Sequence, residues 1–443
     1  YAVAGRGLPM SIFFAAIAAT LCGGGATIGR VSFMHTTGIV VFAGLIGVVI
    51  NQIFSGLYIA GRVHNIKNVY SVGDLFGLYY GRAGRLVSSI VCFFFCLGLY
   101  GVQILAMGAI LQTAVGIDLI PAALISSVIT LAYTWSGGML AVTMTDAVQY
   151  VIIIIGVSLC GYLAIDHLGG FDAMMATLNA MPRYESNLKL FSGWGPIQFA
   201  GLFLSFLFGE FCAPYFIQRY ASTKSAKDSK NGLLIFGVHW IFFMATTAAI
   251  GLASMAIQPD VKPDLAFTNL IRDVLPIGVT GLVLAALLAA VMSSGAAFIN
   301  TACVVYTRDI YNKFINPQAT QDQMLRQSRM STLLVGGVSI GVAILFQDVF
   351  GLMIYIFKLW PSAIIPPLLA GLLWGKVSPY AGAPAVVIGV VSCFLWSDKV
   401  LGEPFGIPAN LIGIGLNCLT LFVVHQMMKR RVPSTGIYAP EVL

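Results

Sequence analysis

Residues Leu284–Tyr311 read LAALLAAVMSSGAAFINTACVVYTRDIY. The stretch is apolar and long enough to cross a bilayer, because a spanning helix needs about 20 residues. Two adjacent hydroxyls, Ser293 and Ser294, lie in its middle. Polar side chains at that depth have no water to bond to, so they must contact other protein, an ion or a ligand. Taken alone, the stretch fits equally well with hydroxyls that bond to the preceding turn or to a neighbouring helix.

The whole chain has the composition of a membrane protein. Of its 443 residues, 58% are hydrophobic and 9% are charged, whereas about 25% are charged in soluble domains. Apolar runs of spanning length predict an all-α protein with twelve spans. These lie near residues 8–34, 38–61, 84–115, 118–136, 138–165, 196–219, 231–257, 275–307, 331–347, 349–374, 378–398 and 405–428.

The lysine and arginine residues predict the orientation of the chain. If the first span starts in the cytoplasm, 17 of the 24 basic residues fall on the cytoplasmic side. Short cytoplasmic loops are enriched in these residues, so the distribution predicts an even number of spans in the cell (inner) membrane and a cytoplasmic C-terminus. The net charge of +7 is therefore an orientation signal and does not indicate nucleic-acid binding.

Two spans carry features that interrupt a helix. The first contains three consecutive glycines, Gly23 to Gly25, each of which costs a helix roughly 1 kcal/mol relative to alanine. The sixth contains Gly209, Glu210 and Pro214 close together. Broken helices are tolerated in membranes where they line a cavity or are covered by protein. Breaks five spans apart indicate an inverted repeat with a midplane binding site. Close packing of glycine-rich helices is the alternative, but it leaves the buried charge of Glu210 unexplained.

Four segments, in order along nearly the whole chain, resemble the sodium:solute symporter family. Tyr1–Pro9 (YAVAGRGLP) is similar to the opening of that family, and Tyr133–Gln149 contains its GG-x-x-A-V-x-x-T-D-x-x-Q pattern. Pro214–Arg219 resembles the exit of its sixth helix. Ala289–Ser294, together with Arg308–Tyr311, resembles its eighth helix.

The resemblance implies a LeuT-type fold in a single transmembrane domain over residues 1–443. Such a fold has an inverted repeat of five plus five helices, with helices 1 and 6 broken and two further C-terminal helices here. The two repeats are expected at about 8–165 and 196–374, and the extra helices at about 378–428. Relatives carry one helix before this core, which predicts a segment preceding Tyr1.

The resemblance also implies a sodium site. In the family, two carbonyls from the first-helix break join one carbonyl and two hydroxyls of the eighth helix. These positions fall on the carbonyls of Gly23 and Ala26, the carbonyl of Ala290, and the hydroxyls of Ser293 and Ser294. Since the Ala290 carbonyl precedes Ser294 by one helical turn, both oxygens can face one ion.

Two further observations concern the ion. Some relatives bind a second sodium through hydroxyls one turn further along, where this chain has Ala296 and Ala297. This departure predicts one Na⁺ per solute. Asp146 matches the family's fifth-helix aspartate near the ion path. It could steer the ion, or it could cap a helix or pair with a base on the cytoplasmic side.

Three polar residues could reach a solute between the broken helices, namely Arg30, Gln103 and Glu210. A guanidinium suits a carboxylate, and Glu210 suits an ammonium, so together they favour a zwitterion such as an amino acid. The alternative is that Arg30 and Glu210 pair with each other, since intramembrane charges normally have partners.

Two other polar residues within spans are expected to be structural. Lys358 is expected to extend to the membrane interface, with a place at the outer gate as the alternative. His239 is expected to be a hydrogen-bonded core residue and not a proton relay. The eight cysteines lie almost entirely within spans and are expected to behave as small hydrophobic residues without disulfides.

The function predicted is import of a small organic solute, with an amino acid or another small carboxylate favoured, coupled to Na⁺ influx by alternating access. The only deep acids, Asp146 and Glu210, lie on separate helices, and no nucleophile–base set accompanies them, which argues against an enzyme. A proton-coupled carrier of the same fold and a transporter-like sensor module are the alternatives. The hydroxyls of the eighth helix favour sodium, since a proton site needs a titratable group.

Overall fold

The computed structural model describes residues 7–66, 68–191 and 194–428, apart from the side chains at 43, 133, 136–145 and 147. The basic residues Arg6, Lys67 and Lys429–Arg431, which entered the orientation count, and most of the first family-like segment lie outside this part of the chain. The described residues form helices, which we number in chain order. The α-helices are α1 Met10–Leu21, α2 Arg30–Thr37, α3 Val40–Phe54, α4 Ala60–Asn65, α5 Val72–Val115, α6 Leu119–His167, α7 Phe171–Asn179, α8 Pro196–Phe208, α9 Pro214–Tyr220, α10 Ala226–Ile257, α11 Ala266–Val274, α12 Ile277–Val304, α13 Gln321–Phe346, α14 Val349–Leu369, α15 Gly382–Trp396 and α16 Ala409–Met427.

Short π-helical segments extend four of these elements. They are Gly25–Gly29 before α2, Ser55–Ile59 between α3 and α4, Val305–Ile315 after α12, and Ala370–Trp374 after α14. Within the described residues, eight helices are long and apolar enough to span a membrane, and the bent pair formed by α1 and α2 makes a ninth candidate. Three shorter apolar helices, Leu119–Ala132, Pro196–Phe208 and Gly382–Trp396, account for the remaining predicted spans. The protein is therefore a multi-pass membrane protein.

The first predicted helix break is confirmed. Helix α1 ends at Leu21, and the π-helical segment begins at Gly25, with a bend of 62° between the two halves. Gly24 has ordinary right-handed helical torsions, so its requirement for glycine is one of space. A Cβ atom there would lie 2.2 Å from the Cβ of Ala106 on α5. The glycines therefore let the broken segment approach α5 closely.

The second predicted break is confirmed as well. Helix α8 ends at Phe208, and α9 begins at Pro214. Proline occupies the first helical position, where its missing N–H costs nothing. Between the two helices, Cys212 has φ of 52°, a left-handed conformation that few non-glycine residues adopt. Residues Gly209–Ala213 therefore form a true interruption that carries Glu210.

Helix α6 contains two of the predicted spans. The sequence predicted spans near 118–136 and 138–165, and both lie within the helical element Leu119–His167. Its apolar segments Leu119–Ala132 and Val148–His167 are separated by residues whose side chains are mostly outside the described part of the chain. Gly137 and Gly138 lie at the junction, and their combined helix penalty of about 2 kcal/mol does not end the helical backbone there, whereas the first span, with three consecutive glycines, is interrupted.

The two C-terminal helices α15 and α16 pack on each other and on α14. The loop between them brings Glu403 to Lys358 of α14, with 2.5 Å between the Nζ and Oε1 atoms. The same carboxylate accepts the N–H of Ala409 at the start of α16. Lys358 is therefore paired with an acid in a loop between two helices, which is compatible with its expected extension to the interface.

The cysteines behave as expected. All eight are free thiols, and seven of them are buried; Cys418 on α16 is exposed.

Candidate functional site

A cavity lies where the two helix breaks face each other. Its volume is about 40 Å³, enough for only a few waters. Polar groups enter it from both breaks and from α5. Its walls include Gly23, Gly25, Ala26, Arg30, Gln103, Glu210, Trp240 and the apolar side chains of Val48, Leu99, Val102, Phe206, Phe298, Met353 and Phe357. The three polar residues predicted for solute binding are therefore brought together.

Gln103 stabilises the first break. Its side-chain carbonyl accepts the N–H of Gly24 at 2.7 Å, and its amide donates to the carbonyl of Leu99 at 3.4 Å. The N–H groups at a helix interruption lack helical partners, so this contact satisfies one of them in a buried place. Gln103 lines the cavity, but its hydrogen bonds are made to the backbone.

Arg30 and Glu210 lie on the same cavity and make no ion pair with each other within the described chain. Arg30 places its guanidinium 5.1 Å from the centre of the Trp240 ring, and its NH1 atom is buried without a hydrogen-bond partner among the described residues. Glu210 accepts the hydroxyl hydrogen of Tyr215 at 2.7 Å. The alternative in which these two charges neutralise each other directly is therefore not what the structure shows.

The hydroxyls of α12 meet the end of α1. Ser294 donates toward the carbonyls of Ala290 at 3.1 Å and Ala19 at 3.3 Å. Ala19 lies among the last four residues of α1, whose carbonyls have no helical N–H to accept. Three oxygens without full charge therefore meet here: the two carbonyls and the hydroxyl of Ser294.

The carbonyls predicted from the first break are placed differently. The Gly23 carbonyl already accepts the N–H of Ala26 at 3.1 Å, the N–H of Thr27 at 3.0 Å and the hydroxyl of Thr27 at 2.9 Å. Gly23 itself lies against Ser294, since a Cβ on it would be 2.4 Å from that hydroxyl oxygen. Ala26 lines the solute cavity. The first-span carbonyl that Ser294 contacts, that of Ala19, thus lies one turn before Gly23, and the sodium ligands at Gly23 and Ala26 stay a prediction.

Asp146 joins this cluster from α6. It is buried, and it accepts the hydroxyl hydrogen of Ser293 in a short hydrogen bond. Its other oxygen lies 3.8 Å from NH2 of Arg219 on α9 and has no hydrogen-bond partner among the described residues. Both interpretations of Asp146 are therefore compatible with its position, because it contacts a predicted ion ligand and faces a base.

Sequence reasoning missed two residues of this cluster. The glycines mark the break itself, whereas Ala19 precedes them, and its only sequence signal is that carbonyls at a helix end lack helical partners. Arg219 was counted as a cytoplasmic loop residue, but it is buried and donates to Thr20 of α1 at 2.6 Å. The sequence does not show whether a basic residue at the end of a span lies in a loop or is buried against a neighbouring helix.

His239 lies away from the cavity. Its Nε2 atom is 3.0 Å from the hydroxyl of Tyr150 on α6, which confirms the prediction of a hydrogen-bonded histidine.

Asp264 links three segments at one end of the molecule, outside the spans. Its carboxylate accepts the hydroxyl of Ser32 on α2 at 2.9 Å and the N–H of Val349 on α14 at 3.2 Å. Burial, reinforced by the negative charge of Asp348, raises the pKa of Asp264 above the ordinary carboxyl value. Helices α2 and α14 both line the solute cavity. Asp264 therefore connects these two helices to the segment between α10 and α11.

Residues 1–389 match the model of the sodium:solute symporter family. The chain belongs to this family. The symporter is 23% identical to the osmoregulated proline transporter OpuE of Bacillus subtilis (strain 168), in an alignment covering 99% of this chain and 91% of that protein. It is 24% identical to the sodium/proline symporter of Haemophilus influenzae, over 97% and 89% of the two chains.

Solved structures confirm the fold of the symporter. A Na⁺-coupled sialic acid symporter in a substrate-bound, outward-open state superposes with a TM-score of 0.80 at 18% identity, covering 98% of this chain and 92% of the other. Mhp1, a nucleobase-cation-symport-1 family transporter, superposes with a TM-score of 0.65 at 13% identity, over 100% and 98% of the two chains. The protein is thus an all-helical transporter of LeuT-type fold that couples a small solute to Na⁺, and its family is one of transporters and not of enzymes.

Proposed function

We propose that this symporter imports a small zwitterion, such as an amino acid or related compound, together with one Na⁺. The observation that carries the proposal is the pair of separate charges on one cavity, Arg30 with an unpartnered nitrogen and Glu210 bonded to a tyrosine hydroxyl. A buried guanidinium without an acid beside it costs several kcal/mol unless a ligand supplies the charge. A carboxylate on Arg30 and an ammonium on Glu210 satisfy both groups.

The names of some relatives fit a solute with a carboxylate, whereas other relatives, 26% identical to this chain, are named sodium/glucose cotransporters. Two relatives are named as proline transporters, and a structural neighbour is a sialic acid symporter. Both of those solutes carry a carboxylate, which Arg30 suits. The walls formed by Trp240, Phe298 and Phe357 suit an apolar portion of the solute. The cavity offers few amides, so a sugar is disfavoured.

The sodium ion in this proposal binds at the end of α1, against α12. Its ligands are the carbonyls of Ala19 and Ala290 and the hydroxyls of Ser293 and Ser294, with Asp146 supplying negative charge through Ser293. The Ala19 carbonyl replaces the first-break carbonyls of Gly23 and Ala26 in the set. Hard oxygen donors of this kind suit a hard cation.

Coupling follows from the shared element. The α1–α2 break contributes Ala19 to the ion and Arg30 to the solute, so occupation of one position favours the arrangement needed at the other. In the inverted-repeat arrangement proposed for residues 8–165 and 196–374, alternating access moves one repeat against the other around this midplane site. In the proposed topology the protein lies in the cell (inner) membrane and its C-terminus is in the cytoplasm.

The sodium ligands are tested by replacing Ser293 and Ser294 with alanine. We expect the sodium concentration for half-maximal uptake to rise at least about tenfold, because two of the ion's oxygens are lost. Ser126→Ala is the matched control, since that buried hydroxyl bonds only to its own helix at Ala122. Unchanged sodium dependence in the double variant would sink the assignment. A charge-to-solute ratio of two would contradict the single Na⁺ inferred from Ala296 and Ala297.

The solute contacts are tested with paired analogues. Glu210→Gln is expected to weaken binding of the native solute by about 2–5 kcal/mol. Binding of an analogue that lacks the amine should be weakened far less. Arg30→Lys should also bind poorly, because the planar guanidinium is lost. Calorimetry on the purified protein measures both. Rescue of transport by exchanging the two charges between positions 30 and 210 would show instead that they act only on each other.

A further inference from the structure

A second, larger cavity lies between α6 and the first part of α13 and shares no lining residue with the solute cavity. Its volume is about 390 Å³. Trp135 of α6 forms one wall, and Arg326, Arg329 and Leu333 of α13 form the other. Leu325, Met330 and Asp322 complete the lining. We name this cavity the α6–α13 groove.

Helices α6 and α13 are in close contact beside the groove, at Gly336. A Cβ at Gly336 would lie 2.4 Å from a methyl carbon of Leu131, so the helices are in close contact there. The lining residues of α13 recur at intervals of three and four before Gly336, which places them on the same face of that helix. Trp135 stands one turn beyond Leu131 on α6. The space between these two stripes is the groove.

The groove is polar at one end and apolar at the other. Arg329 places its guanidinium 5.8 Å from the centre of the Trp135 ring. Neither Arg326 nor Arg329 forms an ion pair with an acid of the described chain. Toward Gly336, Leu333 is 62% exposed and lies within a membrane span, so it faces the acyl chains of the bilayer. The rise of a helix puts Leu333 about 6 Å deeper than Arg329.

This arrangement matches the two parts of a lipid molecule. Trp135 follows the apolar segment Leu119–Ala132, and Arg326 and Arg329 lie in the first half of the span Gln321–Phe346. Tryptophan and arginine at such positions are placed at headgroup depth, and basic pockets between helices on the cytoplasmic side suit anionic headgroups. Asp322 lies one turn before Arg326, at the water-facing end of the groove. Because its negative charge repels a phosphate, the phosphate is expected beside Arg326 and Arg329. A free phosphate would use the arginines and leave the apolar end of the groove without a purpose.

We propose that the α6–α13 groove binds an anionic phospholipid of the cytoplasmic leaflet, with the phosphate on Arg326 and Arg329 and an acyl chain along Met330 and Leu333. The side of the membrane follows from the proposed topology. The lipid fills the space between a helix that carries Asp146 and the helix that precedes α14. Its binding is independent of Na⁺ and solute at the central cavity.

The test uses the purified full chain, stripped of lipid, and compares phosphatidylglycerol with phosphatidylcholine of the same acyl chains by native mass spectrometry and thermal shift. The wild-type protein is expected to retain phosphatidylglycerol preferentially. The double variant Arg326→Gln/Arg329→Gln is expected to bind phosphatidylglycerol at least about tenfold more weakly than the wild type does. Arg82→Gln is the matched control, because Arg82 also lies over an aromatic ring, that of Phe314, but does not line the groove.

Three results would overturn the proposal. One is equal retention of the two lipids by the wild-type protein, and another is unchanged phosphatidylglycerol retention in the double variant. The third is stabilisation by inorganic phosphate equal to that by phosphatidylglycerol, which would indicate a free-anion site. Stabilisation by Na⁺ in every variant shows that the protein is folded. Leu333→Ala should weaken the preference for long acyl chains, whereas Leu345→Ala, at an exposed position on the same helix outside the groove, should not.

Discussion

At the scale of single residues, Gln103 shows how a polar side chain in a cavity can serve the backbone. It lies beside the solute cavity, as its sequence position predicted, but its carbonyl is bonded to Gly24 and its amide to Leu99. A glutamine that contacts solute and a glutamine that satisfies a helix break have the same sequence signature. Only the fold distinguishes the two.

Gln103→Leu keeps most of the side-chain volume and removes the acceptor for the Gly24 N–H. We expect it to lower the free energy of unfolding by about 1–3 kcal/mol, because a buried donor is left without a partner. Thermal unfolding in detergent measures this change. Gln112→Leu, on the same helix, is the control. Equal stability of the two variants would show that the Gly24 contact contributes nothing.

Ala19 illustrates the limit of residue-level prediction. The eighth-helix half of the sodium site, Ser293 and Ser294, was predicted at positions that converge with a carbonyl of the first span. The first-span half was predicted at Gly23 and Ala26, whereas the carbonyl that Ser294 contacts belongs to Ala19, one turn before Gly23. The reason is physical, since a ligand carbonyl is a backbone atom, and every residue type supplies one. The sequence can locate a helix break but does not mark which freed carbonyl faces inward.

At the scale of elements, the two broken helices were predictable, and the continuity of α6 was not. The breaks combine glycines with a proline or with a buried charge, and both occur at the expected places. In α6, the glycine pair at 137–138 lies in a helix that continues on both sides. Glycine lowers helix stability by a modest amount, so tertiary contacts decide whether the helix ends.

The glycine at position 24 is required by its neighbour and not by its torsion angles. Gly24→Ala would place a Cβ atom 2.2 Å from that of Ala106, so we expect a loss of about 1–3 kcal/mol in unfolding free energy from overpacking. Gly281→Ala is the matched control within α12, where the new Cβ would meet nothing within 4 Å. The free energy of unfolding of this control variant is expected to rise by up to about 1 kcal/mol, because alanine favours a helix more than glycine does.

Thermal denaturation of both purified variants decides the matter. A Gly24→Ala protein as stable as the wild type would show that α1 and α5 can separate at little cost. Sodium-dependent uptake by the same variant reports whether the position of the break also sets the ion site.

At the scale of the whole molecule, the connection between α10 and α11 joins distant parts of the chain through Asp264. The carboxylate contacts α2 from the first half and α14 from the second half. Because burial and Asp348 raise its pKa, the folded protein binds a proton at this site more readily than the unfolded chain does. The contribution of Asp264 to stability therefore falls as the pH rises through its folded-state pKa, and it increases on acidification.

Asp264→Asn removes this titration. We expect the Tm of the wild type, relative to the variant, to increase as the pH is lowered through the folded-state pKa of Asp264 toward the unfolded carboxyl value of about 3.9. Asp260→Asn is the control, because Asp260 is an exposed acid paired with Arg183. A Tm difference that is constant with pH, or that shrinks on acidification, would contradict the expectation.

The unequal exposure of the thiols has a practical consequence for spectroscopy. Seven cysteines are buried, and the eighth, Cys418, lies at the middle of the spanning helix α16, where its exposed side faces lipid or detergent. Water does not reach that depth, so a water-soluble maleimide dye should leave the native thiols unreacted. Two cysteines introduced at the water-facing ends of moving helices would then carry a donor and an acceptor, and distance changes during a transport cycle could be followed without first removing the native thiols.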